Sequence, residues 1–322
     1  MLCVISVTKK GDSIARKIGK EFNGTLFLKS EIENFKLKEV TEKAFNKFST
    51  IVFVSSTGIA VRAINGFIKK KDVDPAVIVV DVCSKFTISL LSGHLGGGNH
   101  ITNKIAKKLG NTPVITTATD NMDKDAPDVL AMENNLKIES LKKAKEIASL
   151  LVNDGEVFFK DDKKEIKLPK GYKETEELKP WTLWITNKSR EEDYVLKLIR
   201  KDIILGIGCR RNTEKEKLKE FVFNTLEKLG LSIDSVKVIG SIDLKKDEKA
   251  ILNLGKILNS ELKFFTKDEI AKVHHKYEGS DFVEKTTGVR CVSEPVVELL
   301  GGKIIREKEK LNGMTLTVGI LN

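Results

Sequence analysis

The sequence predicts a multidomain α/β protein, and three features carry that reading. Strand-like apolar runs alternate with amphipathic helical stretches, runs such as IVFV (51–54) and AVIVV (76–80) are apolar throughout, and several strand ends pass into small residues or glycine before a helical pattern begins. A strand that is apolar on successive residues is buried on both faces, as in a mostly parallel sheet covered by helices. The length of 322 residues fits two or three units, at roughly 100–200 residues each.

The first unit, residues 1–134, reads as Rossmann-like. Strands are expected over 2–8, 25–28, 50–55, 76–81, 86–91 and 113–117, and helices over 13–22, 38–48, 58–68 and 99–109. Composition then shifts. Residues 135–201 read as a small middle α+β segment, with a helix over 139–152 and short strands over 156–160, 165–168 and 181–186. Trp181 and Trp184 are expected on one strand face as core packing. A C-terminal α/β domain, 202–322, opens with a strand over 203–208, a helix over 213–230 and a strand over 236–242. Helices near 246–258, 267–276 and 293–300 and a closing strand over 314–321 complete it.

Composition excludes several classes. No run of 18 apolar residues exists, so no transmembrane helix is expected, and the N-terminus reads as a first strand, not a secretory signal. Cys3, Cys83, Cys209 and Cys291 are scattered without a CxxC, which argues for reduced thiols in the cytoplasm and against a zinc site. The net charge is +10, yet only eight of the 56 basic residues are arginines. Lysines spread over helix faces solvate a surface. With aromatics at 6% and no basic–aromatic stripe, nucleic acid is not the expected partner. The positive field favours partners rich in carboxylates. No HExxH, P-loop or GxSxG occurs, and neighbouring His274 and His275 face different ways on an expected helix, so no metal site is expected.

Four segments are suited to chemistry. SGHLGGGN (92–99) follows an apolar strand and precedes a helical pattern, a junction that points backbone N–H groups at an anion. Ser92, Gly93, Gly96, Gly97 and Gly98 let the backbone approach a ligand, His94 is able to act as acid or base, and Asn99 either caps the helix or meets a ligand. The same loop reads equally as a tight crossover with a structural histidine. SSTGIAVR (55–62) offers Thr57, as helix cap or ligand contact, with Gly58 and Arg62. TTATD (116–120) adds Thr116, Thr117 and Asp120, and Asp81 ends another strand, as a base or orienter or as an exposed strand-end carboxylate. Ligands of open α/β sheets sit at the carboxyl ends of strands, so these loops are expected to share one cleft. In the last domain GIGCRRNT (206–213) repeats the strand–glycine–helix junction. Its Arg210 and Arg211 suit carboxylates, while Cys209 reads as a buried thiol more than a nucleophile. Glu294, at a helix start, either complements the dipole or lines a site.

These segments resemble the CbiG family of the oxygen-independent cobalamin pathway. The resemblance rests on STGIAVR, DPAVIVVD, ISLLSGHLGGGN and PVITTATD in the first half, and on GIGCRRNT and TTGVRCVSEPVVELLGGKII…MTLTVGIL in the second. They stand in the family's order over most of the chain. The resemblance implies a cytoplasmic hydrolase of cobalt-precorrin-5A, which opens the ring A δ-lactone and releases acetaldehyde to give cobalt-precorrin-5B. It implies a cobalt-corrinoid tetrapyrrole as partner, with no membrane and no nucleic acid. It implies no cofactor, since the substrate carries the cobalt. A homodimer and association with neighbouring pathway enzymes are compatible with it. Lactone hydrolysis needs a base and oxyanion donors, roles open to His94 or Asp120 and to the Gly96–Asn99 amides. Arg62, Arg210 and Arg211 would meet corrin carboxylates. A non-catalytic tetrapyrrole carrier would use the same groups, and only turnover separates the two.

Overall fold

A computed structural model of the chain describes residues 1–70, 73–93, 96–117, 122 and 124–321. They divide into two compact units: Met1–Met132 with Ala148–Gly155 and Pro169–Gly171, and Glu133–Ile147 with Glu156–Leu168 and Tyr172–Asn322. No helix among the described residues is long and apolar enough to cross a membrane.

The sheet of the first unit contains β1 (Leu2–Ser6), β2 (Thr25–Leu28), β3 (Thr50–Val54), β4 (Ala76–Val80), β5 (Phe86–Leu91) and β6 (Thr112–Val114), in the order β2-β1-β3-β4-β5-β6. Helices α1 (Lys9–Glu21) and α4 (Gly98–Leu109) cover one face, where Val4, Val52 and Ile78 meet Ile14, Ile18 and Ile105. Helices α2 (Leu37–Lys47) and α3 (Thr57–Ile64) cover the other, against Ile5, Ile51, Phe53 and Val79. Neighbours in one strand therefore feed opposite cores, which is why IVFV and AVIVV carry no polar residue.

Strands β1 to β4 are parallel, but β5 runs antiparallel to β4, and β6 is parallel to β5. The connection sets this direction. Parallel neighbours need a crossover of about a dozen residues, and residues 81–85 are too few to make one. They form a tight turn instead. The Asp81 carboxylate accepts the N–H groups of Cys83 (2.8 Å), Lys85 (2.8 Å) and Phe86 (2.6 Å).

After α5 (Pro127–Glu133), the second unit carries two sheets. One contains β7 (Lys137–Ile138), β8 (Phe158–Asp161), β9 (Lys173–Glu174), β10 (Thr182–Thr186) and β11 (Leu196–Ile199), in the order β7-β11-β10-β8-β9, and helix α6 spans Leu141–Val152. The strand expected over 165–168 is absent. Asp161 at the end of β8 accepts N–H groups from Lys163, Glu165 and Ile166, and the chain curls round that carboxylate instead of extending. Nor do the tryptophans share a face. Trp184 is buried in β10 with its indole N–H on Asp162, whereas Trp181 precedes the strand at φ +64° and meets Tyr194 edge-on.

The other sheet contains β12 (Ile203–Cys209), β13 (Val236–Ile242), β14 (Glu261–Phe265), β15 (Lys303–Leu311) and β16 (Met314–Ile320), in the order β14-β13-β12-β16-β15. Helices α7 (Lys215–Lys228) and α8 (Lys249–Leu258) pack one face through Leu218, Val222, Ile251 and Leu254. The expected helix over 267–276 is broken into α9 (Lys267–Ala271) and a single turn at His274–Lys276, and α10 (Asp281–Thr287) follows. His274 there accepts the Arg290 N–H at 2.9 Å, a structural use of the ring. Helix α11 (Ser293–Leu299) lies against the other face. A Cβ on Gly206 would come within 1.9 Å of the Ser293 carbonyl, and one on Gly240 within 2.1 Å of Val296. These glycines serve close helix–sheet approach, and Gly206 sits inside β12, not in a ligand loop.

Candidate functional site

The glycine loop joins β5 to α4. Ser92 turns the chain at φ +53°, and Gly97, at φ +72°, stands at the cap position of α4. Both values lie in the left-handed region, which costs Ser92 steric energy and suits Gly97. The loop folds back on itself, with the Gly98 N–H donating to the Ser92 carbonyl (3.2 Å) and the Asn99 N–H to that of Gly93 (2.8 Å). Two of the four expected oxyanion donors are thus spent within the loop. The N–H groups of Gly96 and Gly97 have no backbone acceptor among the described residues. A side chain on Gly93 would collide with Asn99, and one on Gly96 with Ser92. The Ser92 Oγ is buried and makes no hydrogen bond among the described residues.

Asn99 is buried, and its Nδ2 donates to the Thr117 Oγ1 at 3.0 Å, so α4 is tied to the segment after β6. Thr116 beside it is exposed. His94 and Asp120 lie outside the described residues. The described ends of the two segments, Asn99 and Thr117, do come together, because β5 and β6 run the same way.

The other expected members do not join them. Leu91 at the end of β5 pairs with Val77 at the start of β4, whereas the ends of β3 and β4 lie at the opposite edge. With a rise of ~3.3 Å per residue, the two edges are about 16 Å apart along the strands. The single cleft expected of three loops is corrected to two edges by the reversal at β5. At the far edge Ser56, not Thr57, occupies the cap position of α3, with no side-chain capping bond. The Arg62 guanidinium folds over Gly58 and is exposed. Arg62 also lines a groove of about 540 Å³ with Leu37, Ile59 and Phe67. Asp81 belongs to the β4–β5 turn. Burial pushes its carboxyl up, but the Phe86, Cys83 and Lys85 N–H groups outweigh that and hold it below the usual range. It is a turn-former, ill-suited to act as a base.

In the second unit β12 ends at Cys209, and Arg210 and Arg211 follow in the loop after it. Burial raises the Cys209 thiol pKa, which removes it as a ready nucleophile. Arg211 pairs with exposed Asp247 at 2.9 Å. Arg210 is exposed, runs across Gly313 and has no carboxylate partner among the described residues. Glu294 is buried and paired with Lys308 at 2.9 Å, so it is a packed ion pair rather than an open contact. Sequence reasoning missed Glu248, which sits in the charged run DLKKDEK yet is buried and accepts the Asn212 N–H at 3.2 Å. Nothing in that run marks it off from its solvated neighbours. No cluster of His, Cys, Asp or Glu among the described residues is arranged to hold a metal ion.

Comparison with known proteins spans the whole chain. The family models for cobalamin synthesis G match at residues 39–120 (N-terminal) and 203–319 (C-terminus), and the cobalamin biosynthesis central region matches at 126–199. A cobalt-precorrin-5A hydrolase of Salmonella typhimurium is 31% identical over 341 residues, covering 99% of this chain and 97% of the relative. One of Priestia megaterium is 29% identical over 353 residues, covering 99% and 94%. Among solved structures, a cobalamin biosynthesis protein G homologue from Sulfolobus solfataricus is 21% identical, covers 100% of this chain and 97% of its own, and superposes with a TM-score of 0.43.

Proposed function

This chain belongs to the cobalamin synthesis G family, and from that premise we propose that it is a hydrolase of cobalt-precorrin-5A in cobalamin biosynthesis. It opens the ring A δ-lactone and releases acetaldehyde to give cobalt-precorrin-5B. One observation carries the reading: relatives bearing that activity in their names align with this chain from end to end, one of them at 31% identity. Cobalt enters with the substrate, and the chemistry calls for no resident metal or cofactor. A cytoplasmic setting is supported by four cysteines that are all unpaired.

The edge formed by the glycine loop and the segment after β6 is our proposed reaction site. Water attacks the lactone carbonyl carbon, and the oxygen that gains charge needs fixed donors. The Gly96 and Gly97 N–H groups are the loop donors left for it. Asn99 and Thr117 hold that edge together. The buried Ser92 hydroxyl lacks a partner among the described residues, a deficit of about 1–3 kcal/mol that a bound substrate would relieve. His94 and Asp120 remain the proposed bases, first for water and then for the hydroxyl whose deprotonation drives carbon–carbon cleavage and loss of acetaldehyde.

The test is anaerobic incubation with cobalt-precorrin-5A, following acetaldehyde and product mass. Acetaldehyde above a protein-free control is expected, and its absence with a correctly folded protein would sink the reading. Replacing His94 by Asn is expected to lower turnover about 100-fold or more, in line with general acid–base contributions. Unchanged turnover would remove it as the base.

A further inference from the structure

The groove beside Arg62 lies wholly within the first unit, between α2 and α3. Leu37 opens α2, Ile59 stands in the first turn of α3, and Ala63 and Phe67 continue the apolar lining. Its volume of about 540 Å³ falls within the roughly 300–1,000 Å³ of small-molecule sites, which combine an apolar lining with a few polar groups. The charged residues lining it are Lys38 and Arg62, and among the described residues no carboxylate does so. Neither cation makes an ion pair or a hydrogen bond among those residues.

The mouth of the groove suits an anion. The Arg62 guanidinium reaches back one turn of α3, so that a Cβ on Gly58 would stand 3.5 Å from its Nη2. The N–H groups of Thr57 and Gly58, the first two of that helix, have no acceptor among the described residues, and the Ser56 side chain does not cap them. A guanidinium and the positive end of a helix therefore stand together, an arrangement that a bound anion stabilises. Topology agrees with this. Strands β1 and β3 are parallel neighbours, yet α1 leaves β1 on one face of the sheet and α3 leaves β3 on the other. Where connections part in this way, open α/β sheets take ligands at the carboxyl edge, and α3 starts at that edge.

We propose that this groove is a tetrapyrrole-binding site separate from the glycine-loop edge. An apolar part of the macrocycle lies on Leu37, Ile59 and Phe67, and a peripheral carboxylate is taken by the Arg62 guanidinium and the Thr57 and Gly58 amides. The choice of ligand rests on the function proposed above. A tetrapyrrole has apolar ring faces inside a rim of acidic side chains, the complement of an apolar floor with cations at its margin. Arginine–carboxylate bonds are among the stronger charge-assisted ones. Because the glycine loop stands at the other end of the strands, the groove holds a macrocycle that is not at the reaction site, before or after turnover.

The experiment uses the full chain and its variants Arg62→Gln and Ile59→Glu. Uroporphyrin, a tetrapyrrole whose side chains all end in carboxylates, is titrated by fluorescence beside a porphyrin that carries N-methylpyridinium groups instead. Arg62→Gln is expected to weaken uroporphyrin about tenfold or more, as the loss of a charged hydrogen bond implies. Ile59→Glu should weaken it at least as much, by placing a carboxylate in the groove. Melting temperatures should hold, because Arg62 is exposed and unpaired, and a glutamate three residues after the Ser56 cap is favoured there. The cationic porphyrin should bind weakly and respond little to Arg62→Gln. Undiminished uroporphyrin binding by both variants would overturn the site, as would an equal loss of both porphyrins in Arg62→Gln. Acetaldehyde release by the unaltered protein tests the activity separately. Release, with uroporphyrin binding indifferent to both substitutions, overturns the groove alone. No release, with binding that depends on Arg62 and Ile59, overturns the activity alone.

Discussion

Asp161 shows how neighbours decide what a side chain does. Its Oδ1 accepts from the Arg200 guanidinium at 2.7 Å, and three backbone N–H groups complete its shell. Burial pushes its carboxyl up, but the Ile166 and Lys163 amides and Arg200 prevail and hold it low. Its contribution is therefore fully present above the unfolded carboxylate value of about 3.9 and is lost as pH falls through the lower folded value. Asp161→Ala should cost about 3–5 kcal/mol at neutral pH in urea unfolding, with the gap to the unaltered protein narrowing as pH falls below the unfolded carboxylate value of about 3.9. A gap independent of pH would show that the ion pair is not its source. Asn99 makes the complementary prediction. Asn99→Ala should cost about 1–2 kcal/mol of stability through loss of the hydrogen bond to Thr117, yet lower kcat/KM about tenfold or more by freeing the loop from Thr117. Equal turnover would take Asn99 out of the site. The sequence exposed Asn99 because it closes a glycine run. It hid Glu248 because DLKKDEK looks like any solvated stretch, and burial there comes from contacts distant in the chain.

Helix α11 and strand β12 carry a prediction of a different kind. A methyl on Gly206 would meet the Ser293 carbonyl, which is backbone and has nowhere to rotate. Gly206→Ala should destabilise the protein by about 1–3 kcal/mol or more, whereas the same change at Gly110, beside which nothing lies within 4 Å, should cost only the strain of its positive φ. Thermal melts of the two variants compare them directly. The long, strongly patterned elements could be read from sequence: the buried strands over 50–54, 76–80 and 236–242 and the helices over 98–109 and 215–228 all form close to where they are expected. Those that could not be read lack a pattern. Lys137–Ile138 and Lys173–Glu174 are too short to show alternation, and Lys303–Leu311 is a charged strand whose residues are mostly exposed. The direction of β5 was within reach of the sequence, because residues 81–85 leave no room for a crossover. Overlooking it is what merged two sheet edges into one cleft.

For the whole chain, the charge of +10 has a kinetic consequence for a substrate rich in carboxylates. A long-range field speeds encounter, and salt screens it over a Debye length of about 8–10 Å. Raising ionic strength from about 20 to about 300 mM should therefore lower kcat/KM several-fold, with kcat nearly constant. Insensitivity to salt would assign the lysines to solvation alone. Composition disclosed the sign of this field, but eight arginines against 48 lysines said little about where it is used. The reversal at β5 has a broader implication. A sheet whose strands all point one way offers a single rim for loops to diversify. By turning back along β4, this one gains a second rim, built by different connections from the first. Insertions or substitutions in the loops of one rim leave the connections of the other intact. Natural selection, or an engineer, is thus able to rework the groove beside Arg62 without redrawing the glycine loop.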